Sequence, residues 1–169
     1  TIIKWYSDPS LTILENIGPN FSTGQTTPGV YTYYVTQTDA NGCESSATTV
    51  TLEIYNLPIA NFSYQFQAGG GCGSGTVIFD GNIGINGSTN GSGVIDTWIW
   101  DFGDPPGTPV INTTNGNESY TYISPPNIYS VNLTVSDNYG CISLPQSYDI
   151  TIANTIEANF IPPAPVCFG

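Results

Sequence analysis

The stretch Tyr129-Ser130-Val131-Asn132-Leu133-Thr134-Val135 alternates apolar and polar side chains, and this alternation decides the fold class. A period of two places the apolar residues on one face of a strand and the polar residues on the other. Residues 30–37 repeat the pattern, with Tyr31, Tyr33 and Val35 on one face. Leu and Ala are scarce whereas Thr, Tyr, Val and Ile are plentiful, so the sequence predicts an all-β protein.

Both strands belong to an internal repeat of 98 residues. When the sequence is shifted by that length, Pro28–Phe62 falls on Pro126–Phe160 with 12 identities in 35 positions and without a gap. A unit of this length is a common size for a β-sandwich. The identities include four residues of one turn in each copy, namely Asp39, Gly42, Cys43 and Ser45 in the first and Asp137, Gly140, Cys141 and Ser143 in the second.

The repeat predicts the domain organisation. Residues 1–57 are the C-terminal part of one Ig-like β-sandwich, residues 58–156 are a complete sandwich, and residues 157–169 begin a further repeat. In each unit a Trp precedes the repeated Cys by about 40 residues, Trp5 in the first and Trp100 in the second. Since a Trp that packs over the core is usual in immunoglobulin-like sandwiches, we expect tandem sandwiches arranged end to end.

Four cysteines allow three full pairings, but the repeat favours a different arrangement. Cys72 lies after the start of the second unit and Cys141 in its last turn, which predicts a disulfide between them. The partner of Cys43 would then precede residue 1, and the partner of Cys167 would follow residue 169. A bridge between Cys43 and Cys167 is the alternative. Repeated structural disulfides indicate an oxidising, extracytoplasmic compartment.

The charge of the chain excludes several classes of partner. Thirteen acidic residues face a single basic residue, Lys4, and there is no His, so the formal net charge is −12. Such a chain cannot neutralise phosphates, which excludes nucleic acid, and an anionic membrane surface repels it. Without His, the commonest general base and the commonest nitrogen ligand of metals are missing. No run approaches 18 apolar residues, so no transmembrane segment is expected.

The second unit also carries a recognisable motif. Trp98-Ile99-Trp100-Asp101-Phe102-Gly103-Asp104 is followed by Tyr120-Thr121-Tyr122 and then by the long alternating strand. This pattern resembles the PKD (polycystic kidney disease) domain, an Ig-like sandwich with a W-D-F-G-D-G core motif. Pro105 replaces the Gly after the second Asp, and Asn127 replaces the Gly before the long strand. The resemblance implies a structural role for Trp100, Asp101, Phe102, Gly103, Asp104 and Tyr129, and for Trp5 in the first unit.

The first unit looks like an Ig-like repeat, through Tyr31–Gln37 and Asn41–Ser45. Such repeats are strung together with PKD domains in very large, acidic, secreted proteins of Bacteroidota. The resemblance implies the non-catalytic, repetitive stalk of a cell-surface or gliding-motility adhesin exported by the type IX secretion system. Its partners would be neighbouring repeats, the outer-membrane secretion machinery, and a surface polysaccharide or another adhesive ligand. The alternatives are an accessory carbohydrate- or protein-binding module of a secreted degradative enzyme, and a subunit of a surface filament.

Calcium is the one cofactor that the sequence leaves open, with four candidate ligands, Asp80, Asp101, Asp104 and Asp137. Carboxylates and turn carbonyls suit this ion. An Asp that follows a strand also accepts backbone N–H bonds in an Asx-type turn, and this is our interpretation of Asp101. A catalytic pair is not expected, because a glycosidase needs its two carboxylates in a cleft, one of them with a raised pKa.

Two further patterns have ordinary structural interpretations. Trp98 and Trp100 are two residues apart, so both face one side of a regular strand. We expect Trp5 and Trp100 to pack in the core; the alternative is that exposed aromatic residues form a platform on which a sugar stacks. The Gly-rich run 69–75 lacks the Lys-Ser/Thr and the helix pattern of a phosphate loop. We expect it to be a strand connection.

Overall fold

A computed structural model describes residues 1–67, 75–104, 107, 109–123 and 127–153. The chain divides into two compact units, Thr1–Asn56 and Leu57–Gly169. The described residues contain strands and no helix, which confirms the all-β prediction. The strands are β1 (Ile2–Tyr6), β2 (Leu14–Ile17), β3 (Gly29–Thr38), β4 (Thr48–Ile54), β5 (Ser63–Phe66), β6 (Gly75–Asp80), β7 (Ile95–Asp101), β8 (Val110–Asn112), β9 (Asn117–Tyr122), β10 (Asn127–Asp137) and β11 (Gln146–Ile152).

The first unit forms a four-stranded antiparallel sheet in the order β2-β1-β3-β4. Strand β1 pairs with β3 so that Trp5 lies opposite Val35, and β3 pairs with β4 so that Tyr33 lies opposite Val50. Directly opposite residues of an antiparallel pair share a face. One side of this sheet, the apolar face of the first unit, therefore includes Ile3, Trp5, Tyr31, Tyr33, Val35, Val50 and Leu52.

The second unit is a β-sandwich of two antiparallel sheets, in the orders β11-β10-β7-β8 and β5-β6-β9. Both sheets contribute to one hydrophobic core, as expected when each sheet buries one face. Strand β10 supplies the largest share because alternate residues along it point inward. The completely buried side chains of the core are Val77, Phe79, Trp100, Tyr122, Val131, Leu133, Val135, Ile150 and Ile152.

The strand registers reproduce the repeat that the sequence predicts. Tyr31 lies opposite Leu52 in the first unit, and the residues 98 positions later, Tyr129 and Ile150, lie opposite each other in the second. The four-stranded sheets also share one strand order, since β4, β3, β1 and β2 correspond to β11, β10, β7 and β8. The two four-stranded sheets therefore repeat in structure at the offset at which their sequences repeat. Residues 157–169, the predicted start of a further repeat, lie outside the described residues.

The registers also align the two tryptophans. Trp5 lies opposite Val35, and Trp100 lies opposite Leu133, which is the repeat counterpart of Val35. Each Trp thus occupies the same position in its own sheet, although the two lie only 95 residues apart in the chain. The strands β1 and β7 are therefore equivalent elements of the two units.

Candidate functional site

The Trp strand β7 points both of its indole rings into the core of the second unit. Trp100 is completely buried and Trp98 nearly so, and Nε1 of Trp98 donates a hydrogen bond to the carbonyl of Gly81 at 2.9 Å. Trp5 of the first unit is partly buried, and its Nε1 donates to the carbonyl of Gly18 at 2.9 Å. The rings of the second unit therefore act in packing and offer no exposed surface for stacking on a sugar.

The turn after β7 explains the spacing of Asp and Gly in the motif. Oδ1 of Asp101 accepts a hydrogen bond from the backbone N–H of Gly103 at 3.0 Å, which makes an Asx-type turn. Gly103 has φ of +70°, and a Cβ at this position would lie 2.5 Å from the carbonyl oxygen of Ser130. Both the left-handed backbone and the close approach of β10 require glycine. The carboxylate of Asp101 thus shapes the turn.

The second carboxylate of the motif is the acceptor of a side-chain hydrogen bond. The hydroxyl of Tyr120 donates to Oδ2 of Asp104 at 3.1 Å, and the Tyr120 ring stacks on Phe102 with centroids 4.5 Å apart. The hydroxyl of Tyr122 donates to the carbonyl of Phe102 at 3.0 Å. Burial, and then the bond to Asp104, raises the pKa of Tyr120, and burial likewise raises the pKa of Tyr122. These contacts tie β9 to the turn after β7.

The turn between β10 and β11 is organised around one buried carboxylate. Asp137 is 3% exposed, and its Oδ1 accepts the N–H groups of Tyr139 at 3.0 Å and Cys141 at 2.9 Å. Ser143 reinforces the turn because its Oγ accepts the N–H of Val135 at 3.0 Å. Oδ2 of Asp137 has no hydrogen-bond partner among the described residues. The carboxylate therefore replaces backbone partners that the tight turn cannot provide.

The first unit contains the same turn with a different exposure. Oδ1 of Asp39 accepts the N–H groups of Asn41 at 2.9 Å and Cys43 at 2.8 Å, and Oγ of Ser45 accepts the N–H of Gln37 at 3.0 Å. Asp39 is exposed, and these bonds, first that from Cys43, lower its pKa. No role was predicted for Ser45 and Ser143. Their identity across the repeat was the signal that marked them.

A polar cluster on the other face of the first sheet was not predicted. Nζ of Lys4 forms an ion pair with Oε2 of Glu44 at 2.9 Å, and the buried Thr36 hydroxyl donates to Oε1 of Glu44 at 2.5 Å. The hydrogen bonds from Thr36 and then Lys4 lower the pKa of Glu44, and the bond to Glu44 raises that of Lys4. Positions 4, 36 and 44 follow no common period, so no sequence pattern predicts this cluster.

The four calcium candidates do not gather into one site in the part of the chain that the structure describes. Each carboxylate accepts hydrogen bonds of its own, including Asp80, whose Oδ1 accepts the N–H of Asn82 at 3.1 Å. Across residues 1–67, 75–104, 107, 109–123 and 127–153, no three His, Cys, Asp or Glu side chains lie close enough to share a metal ion. Asp80, Asp101 and Asp137 accept backbone N–H groups of their own turns, and Asp104 accepts the hydroxyl of Tyr120.

The cysteines are described only in part. Cys43 is exposed and Cys141 is partly buried, and each is a free thiol within the described residues. Burial, and then the negative charge of Asp137, raises the pKa of the Cys141 thiol. Cys72 and Cys167 lie outside the described residues, so the bridge between Cys72 and Cys141 and the outside partners of Cys43 and Cys167 stay predictions.

Each unit matches a family model. Residues 72–152 match the family model described as PKD domain, and residues 1–55 match the one described as Ig-like domain CHU_C associated. A solved structure of fibronectin(III)-like modules of Clostridium thermocellum CbhA is similar over 95% of this chain and 82% of that chain, with 13% identity and a TM-score of 0.42. No curated protein matches the sequence. None of the described residues belongs to a helix long and apolar enough to cross a lipid bilayer.

Proposed function

The chain joins an Ig-like domain, residues 1–55, to a PKD domain, residues 72–152, and from this premise we propose that it is a stalk segment of a secreted bacterial cell-surface adhesin. PKD and Ig-like domains are typical of extracellular proteins and are typically non-catalytic modules. The proposed parent is an adhesin of Bacteroidota, active in attachment or gliding motility, that the type IX secretion system exports. The segment serves as a spacer that carries an adhesive region away from the cell.

The observation that carries this proposal is the repeated sheet. The first unit and the second unit have one strand order and one register at an offset of 98 residues. A repeated shape suits a spacer, because each added unit extends the array by a fixed increment. The carboxylates of the described turns are engaged in local hydrogen bonds that hold that shape.

The composition supports the same role. A net charge of −12 on 169 residues keeps such a surface protein soluble and separates it from neighbouring copies in a dense layer. The proposed partners of the segment are neighbouring repeats of the same long chain and the outer-membrane machinery during export, whereas an adhesive ligand such as a surface polysaccharide is bound by the adhesive region that the segment carries. Neither nucleic acid nor direct insertion into a membrane is part of the proposal.

Replacement of the segment in the parent protein tests the spacer role. An in-frame deletion of residues 1–169 should reduce attachment of the cells to a surface. An unrelated rigid spacer of the same length should restore attachment, because only reach is required. An antibody against the purified chain should label the outside of intact cells in electron microscopy.

Two results would overturn the proposal. Label confined to the cell interior would remove the surface location. Attachment that returns only with the native residues, and never with the unrelated spacer, would show that the segment itself binds the ligand.

A further inference from the structure

The buried indole ring of Trp100 has no group beside it that accepts its proton. The ring is completely buried, and its Nε1 has no hydrogen-bond partner among the described residues. By contrast, Nε1 of Trp98 donates to the carbonyl of Gly81 at 2.9 Å. An indole N–H is a donor only. If an oxidant removes an electron from the Trp100 ring, the positive charge therefore stays on that ring, which then withdraws an electron from a neighbour.

Two phenylalanines each link Trp100 to a tyrosine of the second unit. On one branch, Phe102 lies nearly parallel to Trp100, at 6° with centroids 5.9 Å apart, and it stacks on Tyr120 at 4.5 Å. On the other branch, Phe62 lies 4.9 Å from Trp100 and 4.9 Å from Tyr148. Tyr120 is partly buried and Tyr148 is 38% exposed. Both branches therefore run from the core toward solvent through rings in contact.

The tyrosines differ in the atom that accepts the hydroxyl proton. The Tyr120 hydroxyl donates to a carboxylate oxygen of Asp104 at 3.1 Å, whereas that of Tyr148 donates to the amide oxygen of Asn61 at 3.2 Å. The acceptor of Tyr122 is a backbone carbonyl. A phenol that loses an electron becomes a strong acid, so it gives up the electron most readily where a base within hydrogen-bond reach takes the proton. A carboxylate is such a base, and an amide oxygen is not.

We propose that Trp100, Phe102 and Tyr120 form an electron relay that carries oxidising equivalents out of the core, with Asp104 as the proton acceptor. A one-electron oxidant of the radical class, such as the carbonate radical anion, takes an electron from Trp100 and is reduced to carbonate. Tyr120 then returns an electron to Trp100 through Phe102, and its hydroxyl proton passes to Asp104. The products are the restored Trp100, a tyrosyl radical and a protonated carboxyl group. An external one-electron reductant such as ascorbate supplies the electron that restores Tyr120, while Asp104 returns the proton.

The relay protects the residue on which the core of the second unit is built. Phe62 and Phe79 both pack on Trp100, and an oxygen atom added to a completely buried ring would overpack this core. A radical on Tyr120 lies at the edge of the core instead, beside a carboxylate, where a dissolved reductant reaches it. The chain contains no Met, the side chain that commonly takes up oxidants in other proteins.

Flash photolysis of the full chain in a W5F background tests the relay. A laser pulse ejects an electron from tryptophan, and transient absorption follows the conversion of the tryptophan radical into a tyrosyl radical. W100F and Y120F should each remove most of the tyrosyl signal. Y148F is the matched control on the other branch and should leave the signal unchanged. D104N removes the base and should slow tyrosyl formation at least about tenfold.

Two measurements on chains without a change at Asp104 complete the test. Replacement of H₂O by D₂O should slow tyrosyl formation, because the proton moves with the electron. After exposure to carbonate radicals, mass spectrometry should find oxidation at Tyr120 in the native chain and at Trp100 in Y120F. Equal tyrosyl signals in Y120F and the native chain, a radical that forms at Tyr148, an unchanged rate in D104N or in D₂O, or native chains oxidised at Trp100 would each overturn the relay.

Discussion

Trp5 and Trp100 occupy equivalent positions in equivalent sheets, yet Trp100 is completely buried and Trp5 only partly. The difference lies in what faces each sheet. In the second unit, Phe62 and Phe79 of the opposing sheet close over Trp100, whereas in the first unit Phe21 packs on Trp5. Strand pairing and turn chemistry therefore determine the sheet, and the opposing layer determines how much of its apolar face contributes to stability.

The largest expected effect comes from truncation of the two tryptophans. W100A should destabilise the second unit by about 3–5 kcal/mol, because it removes a completely buried aromatic side chain and leaves a cavity. W5A should destabilise the first unit by about 1–2 kcal/mol, because its ring is already partly exposed. Guanidinium unfolding followed by amide signals of each unit measures both values. Equal losses of unfolding free energy in W100A and W5A would contradict the conclusion that the opposing layer covers Trp100 more completely than Trp5.

Reduction of the predicted Cys72–Cys141 bridge should come next. A cross-link that closes a loop of this length contributes up to about 4 kcal/mol on the chain-entropy model. A reducing agent should therefore lower the unfolding midpoint of the second unit and leave that of the first unchanged. C141S should reproduce the loss without a reducing agent. If neither the reducing agent nor C141S lowered the unfolding midpoint of the second unit, the stability of that unit would rest on its core alone.

The turn at Asp39 and its repeat counterpart at Asp137 offer a sharper comparison, because each is organised around a single carboxylate. D137A should cost about 2–3 kcal/mol, because the N–H groups of Tyr139 and Cys141 lose a buried acceptor. D39A removes the same bonds at an exposed position, where water replaces the acceptor, so its effect should be clearly smaller. Thermal unfolding of the two variants measures the difference. A larger loss in D39A would contradict our interpretation of the turns.

The two units should also respond to opposite ends of the pH range. The pKa of Asp8 and that of Asp39 are lowered by backbone N–H bonds, so the stability they provide is present above their ordinary value of 3.8 and is lost as the pH falls below it. The pKa of Tyr120 and that of Tyr122 are raised by burial. Their contribution is present below the ordinary value of 10.0 and is lost as the pH rises above it.

Amide signals recorded through acid and alkaline titrations measure this contrast. The first unit should lose order before the second on the acid side, and the second should lose order before the first on the alkaline side. D39N should reduce the acid response of the first unit. The same order of loss at both ends would contradict the assignment of these groups.

Much of the fold could be predicted because it follows local rules. Alternation along residues 129–135 sets the inward face of β10, and the parity of Trp98 and Trp100 places both rings on one side. The identities across the repeat marked the residues of the paired turns. These features depend on spacing within one strand or one turn, which the sequence displays directly.

The remaining features depend on residues that meet only after the sheets have formed. Glu44 receives Lys4 and Thr36 from two different strands, and Tyr120 reaches Asp104 across a 16-residue separation. The sequence presents Asp80, Asp101, Asp104 and Asp137 as four equivalent calcium candidates, but in the structure the carboxylate of each accepts different hydrogen bonds at a different strand end or turn. The burial of equal positions depends on the opposing layer, which the alternation within a single strand does not display.

The central claim is that one repeated sheet is closed in the second unit and open in the first. Amide hydrogen exchange of β3 and β10 in the purified chain tests it most directly. Both strands have the same pairing, so a difference in exchange reports the cover of each sheet. We predict that the amides of Tyr129–Val135 exchange at least about tenfold more slowly than those of Tyr31–Gln37, because the second sheet is enclosed in a core. Equal protection of the two strands would contradict the claim that one repeated sheet is closed in the second unit and open in the first.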